Sequence, residues 1–350
     1  MSKRKLTKQQ QKRVKEKRLE PLTDSQAASS KSTQNENNVL LGVPEQGLVI
    51  TNFGKRILVE ANNGSLVNCA VRQHLGKLVA GDIVTWQTDI EENTGVVTSL
   101  TPRKQELSRP GFRGQTRMVA SNIDLLVIVA PITPGIHPDM IDRYLVVAHQ
   151  LQLPTILVIN KTDLIQSDEQ WEMIAETLIP YDELNIEIYP VSSETQDGLE
   201  DLREALIAKN SVFVGPSGAG KSSLIKALIP DIEIKVNNLS ESTGLGKHTT
   251  TNSILYHLPP VHGEENAGNI IDSPGVRLFS PAPCELHELE QAYPDFQPFL
   301  GKCKFNNCTH QNEPQCAIRD AVENGGIHYS RYHSFQRLLE EFSNSDNQGR

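Results

Sequence analysis

Between Gly47 and about Pro102 the chain alternates apolar and polar positions in five short runs, LVITNF, RILVEA, LVNCAV, IVTWQT and GVVTSL. Turn signals such as Asn62-Asn63-Gly64 and Ala80-Gly81-Asp82 separate them. A period of two, rich in Val, Ile and Thr, suits a strand buried on one face. Five such runs predict a small β-barrel; an oligonucleotide-binding (OB) barrel fits the count, and another small barrel would give a similar pattern. From residue 123 the alternation gives way to unbroken apolar runs: IDLLVIVA (123–130), TILVIN (155–160), IEIYPVS (186–192), SVFVG (211–215) and GNIIDSPG (268–275). Such runs predict strands covered on both faces. Between them Trp171, Ile174 and Leu178 fall on one helical face, as do Leu199, Leu202 and Leu206, so strand and helix alternate as in an α/β domain with a mostly parallel sheet. Near the end Tyr329, Tyr332, Phe335, Leu338, Leu339 and Phe342 recur at helical spacing, which predicts a packed helix.

These changes of period divide the chain. A disordered basic arm is expected over residues 1–38, the barrel over 39–108, a Gly/Arg-rich linker with Arg109, Arg113 and Arg117 over 109–122, and the α/β domain over 123–280. A small helical domain follows at 281–345, then a disordered tail at 346–350. Charge sharpens the first boundary. The net charge is -9, yet residues 1–20 hold nine Lys or Arg against two Glu. An acidic body with a basic arm suits either a nucleic-acid contact or a solvated tail. No apolar stretch reaches about 18 residues, and the first residues are charged, so a cytoplasmic protein without a membrane segment is expected.

The strand SVFV runs into Gly215-Pro216-Ser217-Gly218-Ala219-Gly220-Lys221-Ser222, followed at once by the helical pattern SLIKALI. This is GxxxxGK[ST] in its required strand–loop–helix context. Glycines let successive amides point into one concavity, and the helix N-terminus adds a field favourable to phosphate. Val214 through Ser223 are the expected phosphate contacts. Lys221 is expected to reach the β- and γ-phosphates and Ser222 to ligate Mg²⁺.

A phosphate loop does not say which base is bound. Asn160-Lys161-Thr162-Asp163 follows a buried strand and resembles the NKxD guanine-specificity motif. The Asp163 carboxylate can accept from guanine N1–H and the N2 amino group, which adenine does not offer there. Asn160 would orient the loop, and the Lys161 stem would cover the base. Ser192 and Ser193, after the next strand, resemble the loop that closes over guanine from the other side. Asp272-Ser273-Pro274-Gly275 resembles DxxG, in which Asp272 holds Mg²⁺ through water and the Gly275 amide senses the γ-phosphate. In the run Gly244 to Thr251, Thr250 is favoured as the Mg²⁺-contacting switch residue, with Thr249 as its rival.

Four of the five cysteines fall in the last quarter. Cys303, Cys308, His310 and Cys316 form C-x₄-C-x-H-x₅-C, a closed set of three thiolates and one imidazole suited to structural zinc. Cys284 lies outside that spacing, and Cys69 reads as a small buried residue.

The order of these motifs is unusual. NKTD precedes the phosphate loop, whereas a Ras-like GTPase has them reversed. Strand neighbours in space need not be neighbours in sequence, and a helix over 198–209 would join the old termini. GPSGAGKS, GLGKHTTT, DSPGVR and the zinc motif together make the chain similar to the RsgA-like family of circularly permuted GTPases, over about residues 40–345. The resemblance implies a circularly permuted α/β P-loop GTPase domain between an OB-like barrel and a small α-helical zinc domain. It implies GTP/GDP, Mg²⁺ and one Zn²⁺ as cofactors, and a slow GTP hydrolysis stimulated by the small (30S) ribosomal subunit. It further implies late maturation of that subunit, contact with its 16S rRNA, release of assembly factors such as ribosome-binding factor A, and dissociation afterwards. A monomer is expected.

Where many GTPases carry a water-orienting Gln after DxxG, this chain has Val276. His248 is the candidate for that role, with an RNA or phosphate contact as the other reading. RNA affinity in an acidic chain must come from local basic zones: the arm, Lys55, Arg56, Arg72, Lys77, the linker arginines, and Lys302, Lys304 and Arg319 by the zinc motif. The competing function is a GTP-regulated RNA-binding assembly factor in which hydrolysis is not essential.

Overall fold

The five alternating runs become strands β1 (Glu45–Asn52), β2 (Arg56–Ala61), β3 (Leu66–Val71), β4 (Ile83–Asp89) and β5 (Thr94–Leu100). They were traced in a computed structural model that describes residues 41–54, 56–89, 94–110, 116–232, 253–264, 266–272 and 281–348. β1 pairs with both β2 and β4, β2 with β3, β3 with β5 in parallel, and β5 with β4. This 1-2-3-5-4-1 circuit closes a five-stranded barrel of the OB kind. Val49, Ile57, Val59, Val84, Trp86 and Val97 fill it. Gly95 lies so close to its neighbours that a Cβ there would come within 2.4 Å of Cys69 Sγ and 2.8 Å of the Trp86 ring. Cys69 is fully buried, as its apolar reading requires.

The expected linker segment and the residues just before it contribute two strands. β6 (Glu106–Pro110) and β7 (Thr116–Ser121) form an antiparallel hairpin in which Arg109 stands opposite Arg117. Leu107, Val119 and Ala120 are buried in the core of the α/β domain. Arg103 Nε donates to Asp82 Oδ1 at 2.6 Å, and Ser121 Oγ donates to the same oxygen at 2.6 Å, so barrel and hairpin share a buried ion pair. The side chains of Arg109 and Arg117, and the residues Lys55 and Arg113, lie outside the described part.

The apolar runs form β8 (Leu125–Pro131), β9 (Thr155–Asn160), β10 (Glu187–Val191), β11 (Asn210–Val214) and β13 (Asn269–Asp272). They line up in parallel in the order β10-β9-β8-β11-β13. An antiparallel strand β12 (Ile254–His257) follows and bridges to β1 through Thr51 and Ile254, so the barrel continues the sheet. Helices α1 (Pro138–Leu151), α2 (Asp168–Asp182), α3 (Leu199–Leu206) and α4 (Lys221–Leu228) connect the strands. Leu199, Leu202 and Leu206 bury α3 as predicted, and α3 leads from the sheet edge at β10 to its middle at β11.

One helical face departs from its reading. Burial rises along α2, so Leu178 and Tyr181 pack inward while Trp171 stays 40% exposed. The C-terminal domain holds α5 (Leu286–Gln291), a 3-10 turn (Pro294–Phe299), α6 (Ala317–Glu323) and α7 (Tyr329–Gln348). Tyr332, Phe335, Leu338 and Phe342 of α7 are buried, with Phe335 edge-on to Tyr293 at 5.4 Å, whereas Tyr329 lies outward in the first turn. Among the described residues no helix is long and apolar enough to cross a membrane.

Candidate nucleotide site and zinc centre

β8 lies between β9 and β11, with Ile128 level with both Leu157 and Val214. The chain proceeds from β8 outward to β9 and β10, and from β11 outward on the other side to β13. The order in which the chain adds strands therefore reverses between β8 and β11, the place where open α/β sheets bind ligands beyond their carboxyl ends. Asn160, Val191, Val214 and Asp272 are the last residues of their strands, so all four motif loops leave the same edge.

The phosphate loop leaves β11 at Gly215 with φ 150°, and a Cβ there would fall 2.3 Å from the Val129 carbonyl oxygen. It ends at Gly220, the N-cap of α4, with φ 85°. A Cβ at Gly220 would approach Asn160 Nδ2 to 2.4 Å, so only glycine lets the two loops touch. Val214 and Ala219 are buried, Pro216 is half-buried, and Ser217, Gly218, Ser222 and Ser223 face outward. Lys221 Nζ donates to the Gly215 carbonyl at 2.6 Å and the Pro216 carbonyl at 2.8 Å.

Asn160 is fully buried. Its Nδ2 donates to the Ala219 carbonyl at 3.0 Å, while its Oδ1 accepts from the Lys161 amide at 2.9 Å. Lys161 takes a left-handed φ of 70°, and its Nζ donates to the Thr133 carbonyl at 3.0 Å, bending the side chain over the loop. Thr162 opens a 3-10 turn that leaves Asp163 exposed. Ser192 Oγ donates to Asp163 Oδ1 at 2.6 Å and accepts from the Glu194 and Thr195 amides at 3.2 and 3.1 Å. Ser192 is buried and Ser193, half-buried, continues the same turn. Asp272 lies one residue beyond the Val212–Ile271 pair, beside the phosphate-loop strand. His248, Thr249, Thr250, Gly275 and Val276 lie outside the described residues. The Ala219 and Thr133 carbonyl anchors were missed by sequence reasoning, because a backbone acceptor leaves no mark in residue identity.

The ligand atoms of Cys303, Cys308, His310 and Cys316 all lie within 4.8 Å of one another. Cys303 Sγ stands 3.9 Å from Cys316 Sγ and 3.6 Å from His310 Nδ1, and His310 Nδ1 stands 3.3 Å from Cys316 Sγ. A tetrahedral zinc ion would hold sulfurs about 3.8 Å apart and sulfur and nitrogen about 3.5 Å apart, so the set fits. Glu290 Oε1 lies 2.8 Å from His310 Nε2, which leaves Nδ1 to face the sulfurs. Glu313 accepts from the Thr309 hydroxyl at 2.6 Å and the Thr309, Gln311 and Asn312 amides at 2.8, 3.0 and 3.1 Å, shaping the loop around His310. Neither carboxylate follows from motif spacing, since Glu290 stands twenty residues from its partner. Cys284 is half-buried, and burial raises its thiol pKa.

The RsgA GTPase family model matches residues 100–281. The chain is 39% identical to the small ribosomal subunit biogenesis GTPase RsgA of Hahella chejuensis, over 99% of this chain and 98% of the relative. Identity is also 39% with the protein of that name from Proteus mirabilis, over 98% and 97%. The crystal structure of YjeQ from Thermotoga maritima superimposes with a TM-score of 0.68 at 29% identity, covering 86% of this chain and 99% of that one. That of YloQ, described as a circularly permuted GTPase, gives 0.66 at 25% identity, covering 89% and 99%.

Proposed function

The chain belongs to the RsgA GTPase family, and from that premise we propose that it hydrolyses GTP in a cycle serving late maturation of the small (30S) ribosomal subunit. The observation that supports this reading is the Asn160–Ala219 hydrogen bond, which joins the NKTD loop to the phosphate loop.

Asp163 reads the base. Ser192 occupies one lone pair of Oδ1, which leaves that oxygen and Oδ2 free to accept from guanine N1–H and N2–H. Adenine would leave the carboxylate facing its N1 acceptor. The Lys161 stem, tied to Thr133, covers the ring face, and Ser193 borders the other side. The amides of Gly215 to Ser223 and the α4 N-terminus receive the phosphates. There Lys221 exchanges two neutral carbonyls for phosphate oxygens, with which an ammonium makes stronger bonds. Ser222 and Thr250, with Asp272 acting through water, would hold Mg²⁺, which would supply charge neutralisation to the phosphates. Gly275 senses the γ-phosphate, and His248 orients the attacking water in place of the Gln that Val276 replaces.

The basic arm, the barrel residues Arg56, Arg72 and Lys77, and Lys302, Lys304 and Arg319 contact 16S rRNA, so subunit association weakens with salt. Hydrolysis is coupled to release of ribosome-binding factor A and to the protein's own dissociation as a cytoplasmic monomer. The test is phosphate release from GTP and ATP by the zinc-loaded full chain, with and without small subunits. Subunit-stimulated turnover of GTP but not ATP is expected; equal turnover of both would reject the base assignment, and unstimulated GTP turnover would reject the ribosomal one. Full stimulated turnover by His248→Ala would remove that residue from its role.

A further inference from the structure

Asn122, at the end of the β6–β7 hairpin, starts a chain of polar groups that crosses the amino ends of the parallel strands. Its side-chain amide donates to the Gly81 carbonyl of the barrel at 2.8 Å, and its own carbonyl accepts from Asn210 Nδ2 at 2.9 Å. Asn269 Nδ2 donates to Asn210 Oδ1 at 2.7 Å. Asn269 Oδ1 lies 2.6 Å from His257 Nδ1, and the other ring nitrogen, Nε2, lies 3.0 and 2.8 Å from Glu60 Oε1 and Oε2. Glu60 belongs to β2, so the chain leaves the barrel at Gly81, passes β11, β13 and β12, and returns to the barrel.

The direction of each bond is fixed from one end. A backbone carbonyl only accepts, so Asn210 turns its NH₂ to Asn122 and its oxygen to Asn269. Asn269 then gives its NH₂ to Asn210 and leaves its oxygen for His257. An ionised Glu60 also only accepts. Both ring nitrogens of His257 therefore face acceptors, whereas a neutral imidazole has a single N–H to give. The imidazolium satisfies both. The charged groups nearby fit this state: Glu60 faces the ring from β2, Tyr256 of the same strand is buried in the α/β core, and Asp124 accepts from the Asn210 backbone amide at 3.0 Å at the far end. Lys209, whose carbonyl accepts from the Asn269 amide, spends its ammonium on the Ala205 carbonyl at 2.7 Å. The His257 side chain is 47% exposed, so its proton exchanges with solvent.

Position gives that proton leverage. His257 stands opposite Asn269 at one end of the β12–β13 pair, and Ile254 stands opposite Asp272 at the other. At this second end Thr51 of β1 bridges to Ile254. The barrel thus holds the strand pair at both ends, once through backbone and once through an ionisable side chain. We infer that His257 is a protonated latch between the barrel and the α/β domain, and that loss of one proton loosens the barrel on the strand pair that leads into Asp272. Without that proton either Asn269 Oδ1 or Glu60 meets a bare nitrogen. With Glu60 ionised, the latch contributes fully while the ring is charged and is lost as pH rises past the point where His257 gives up its proton.

The test uses the zinc-loaded full chain, free of nucleotide, beside Glu60→Gln and His257→Gln. Ring ¹⁵N spectra are recorded at about pH 7.5, where an unperturbed imidazole is about nine-tenths neutral. The His257 signals are those missing from His257→Gln. Both nitrogens are expected to carry protons in the unsubstituted chain, and only one in Glu60→Gln. Hydrogen exchange of peptides covering β12, corrected for intrinsic rates, should lose about two- to tenfold of its protection between about pH 6 and about pH 9, the worth of one hydrogen bond. That pH dependence should vanish in His257→Gln, while peptides covering β3 keep their protection in all three proteins and so report that the barrel is folded. A neutral His257 ring in the unsubstituted chain at that pH, β12 protection that does not change with pH, or the same pH dependence in His257→Gln would each overturn the inference.

Discussion

Asn160 donates its side-chain amide to the carbonyl oxygen of Ala219 at 3.0 Å, although the two residues are separated by 59 positions. The bond is buried, so it cannot be replaced by water without moving a loop. Asn160→Ala therefore leaves the Ala219 carbonyl without its donor and opens a gap beside Gly220. GDP affinity is expected to fall about tenfold or more, in line with 1–3 kcal/mol for an orphaned buried acceptor. Isothermal titration checks this; loss of guanine preference without loss of affinity would separate the two loops.

Asp163 offers acceptors only, and Ser192 holds it in place. Asp163→Asn presents an amide donor, which opposes the guanine amino group but matches the C2 carbonyl of xanthine. GTP binding should drop on the order of a hundredfold while XTP binding rises, as expected where a buried polar mismatch discriminates. Ser192→Ala should cost only a few-fold, since it removes a hydrogen bond that steadies the carboxylate. Competition between GTP and XTP for the same site reads both.

The Arg103–Asp82 pair is almost fully buried, at 6% and 0% side-chain exposure. Asp82 also accepts from Ser121 Oγ and the Val79 amide. Arg103→Ala would strand that carboxylate, and a loss of about 3–5 kcal/mol is expected. Denaturant unfolding of the full chain measures it. A loss below about 1 kcal/mol would mean that the barrel–hairpin junction adds little.

Glu290 orients His310 without contacting the metal position. Glu290→Gln is expected to weaken zinc about tenfold to a hundredfold, as removal of such partners does elsewhere. Cys308→Ser should go further and unfold the C-terminal domain while GDP still binds. Zinc competition with a chromogenic chelator, read beside near-ultraviolet dichroism, distinguishes the two.

Glu313 is held at about 2, below its ordinary 4.5, first by the Thr309 hydroxyl and then by the Thr309 and Gln311 amides. A carboxyl depressed in the folded state stabilises fully above its unfolded value, and that contribution fades as pH falls from about 4.5 towards 2. The stability difference between the unsubstituted chain and Glu313→Gln should therefore shrink as pH falls below about 4.5. Solvent screens this group, so the difference at neutral pH is expected to stay under about 1 kcal/mol. Melting curves of both proteins across pH 3–7 test it.

Much of the site was legible from residue order because its parts are local. A phosphate loop needs glycines, a Lys and a Ser within a few positions, and the zinc set needs four ligands within fourteen residues, so each leaves a dense signature. The β6–β7 hairpin was not legible, since its Gly and Arg content resembles a linker and only the cover given to Leu107, Val119 and Ala120 makes it a hairpin. Trp171 misled for the opposite reason: helical spacing names a face, but the neighbouring sheet decides how much of that face is covered.

Period and motif alone determined five barrel strands, a parallel sheet, an NKTD loop ahead of its GxxxxGKS loop, and a Cys₃His cluster. Those properties are written in the near neighbourhood of each residue. Tertiary structure decided which distant groups complete them: Ala219 for Asn160, Ser192 for Asp163, Glu290 for His310, and Arg331 for Asp142. Each of these is a buried polar contact across a long separation, and its partner is selected by the packing of apolar surfaces, which brings the two groups out of water together.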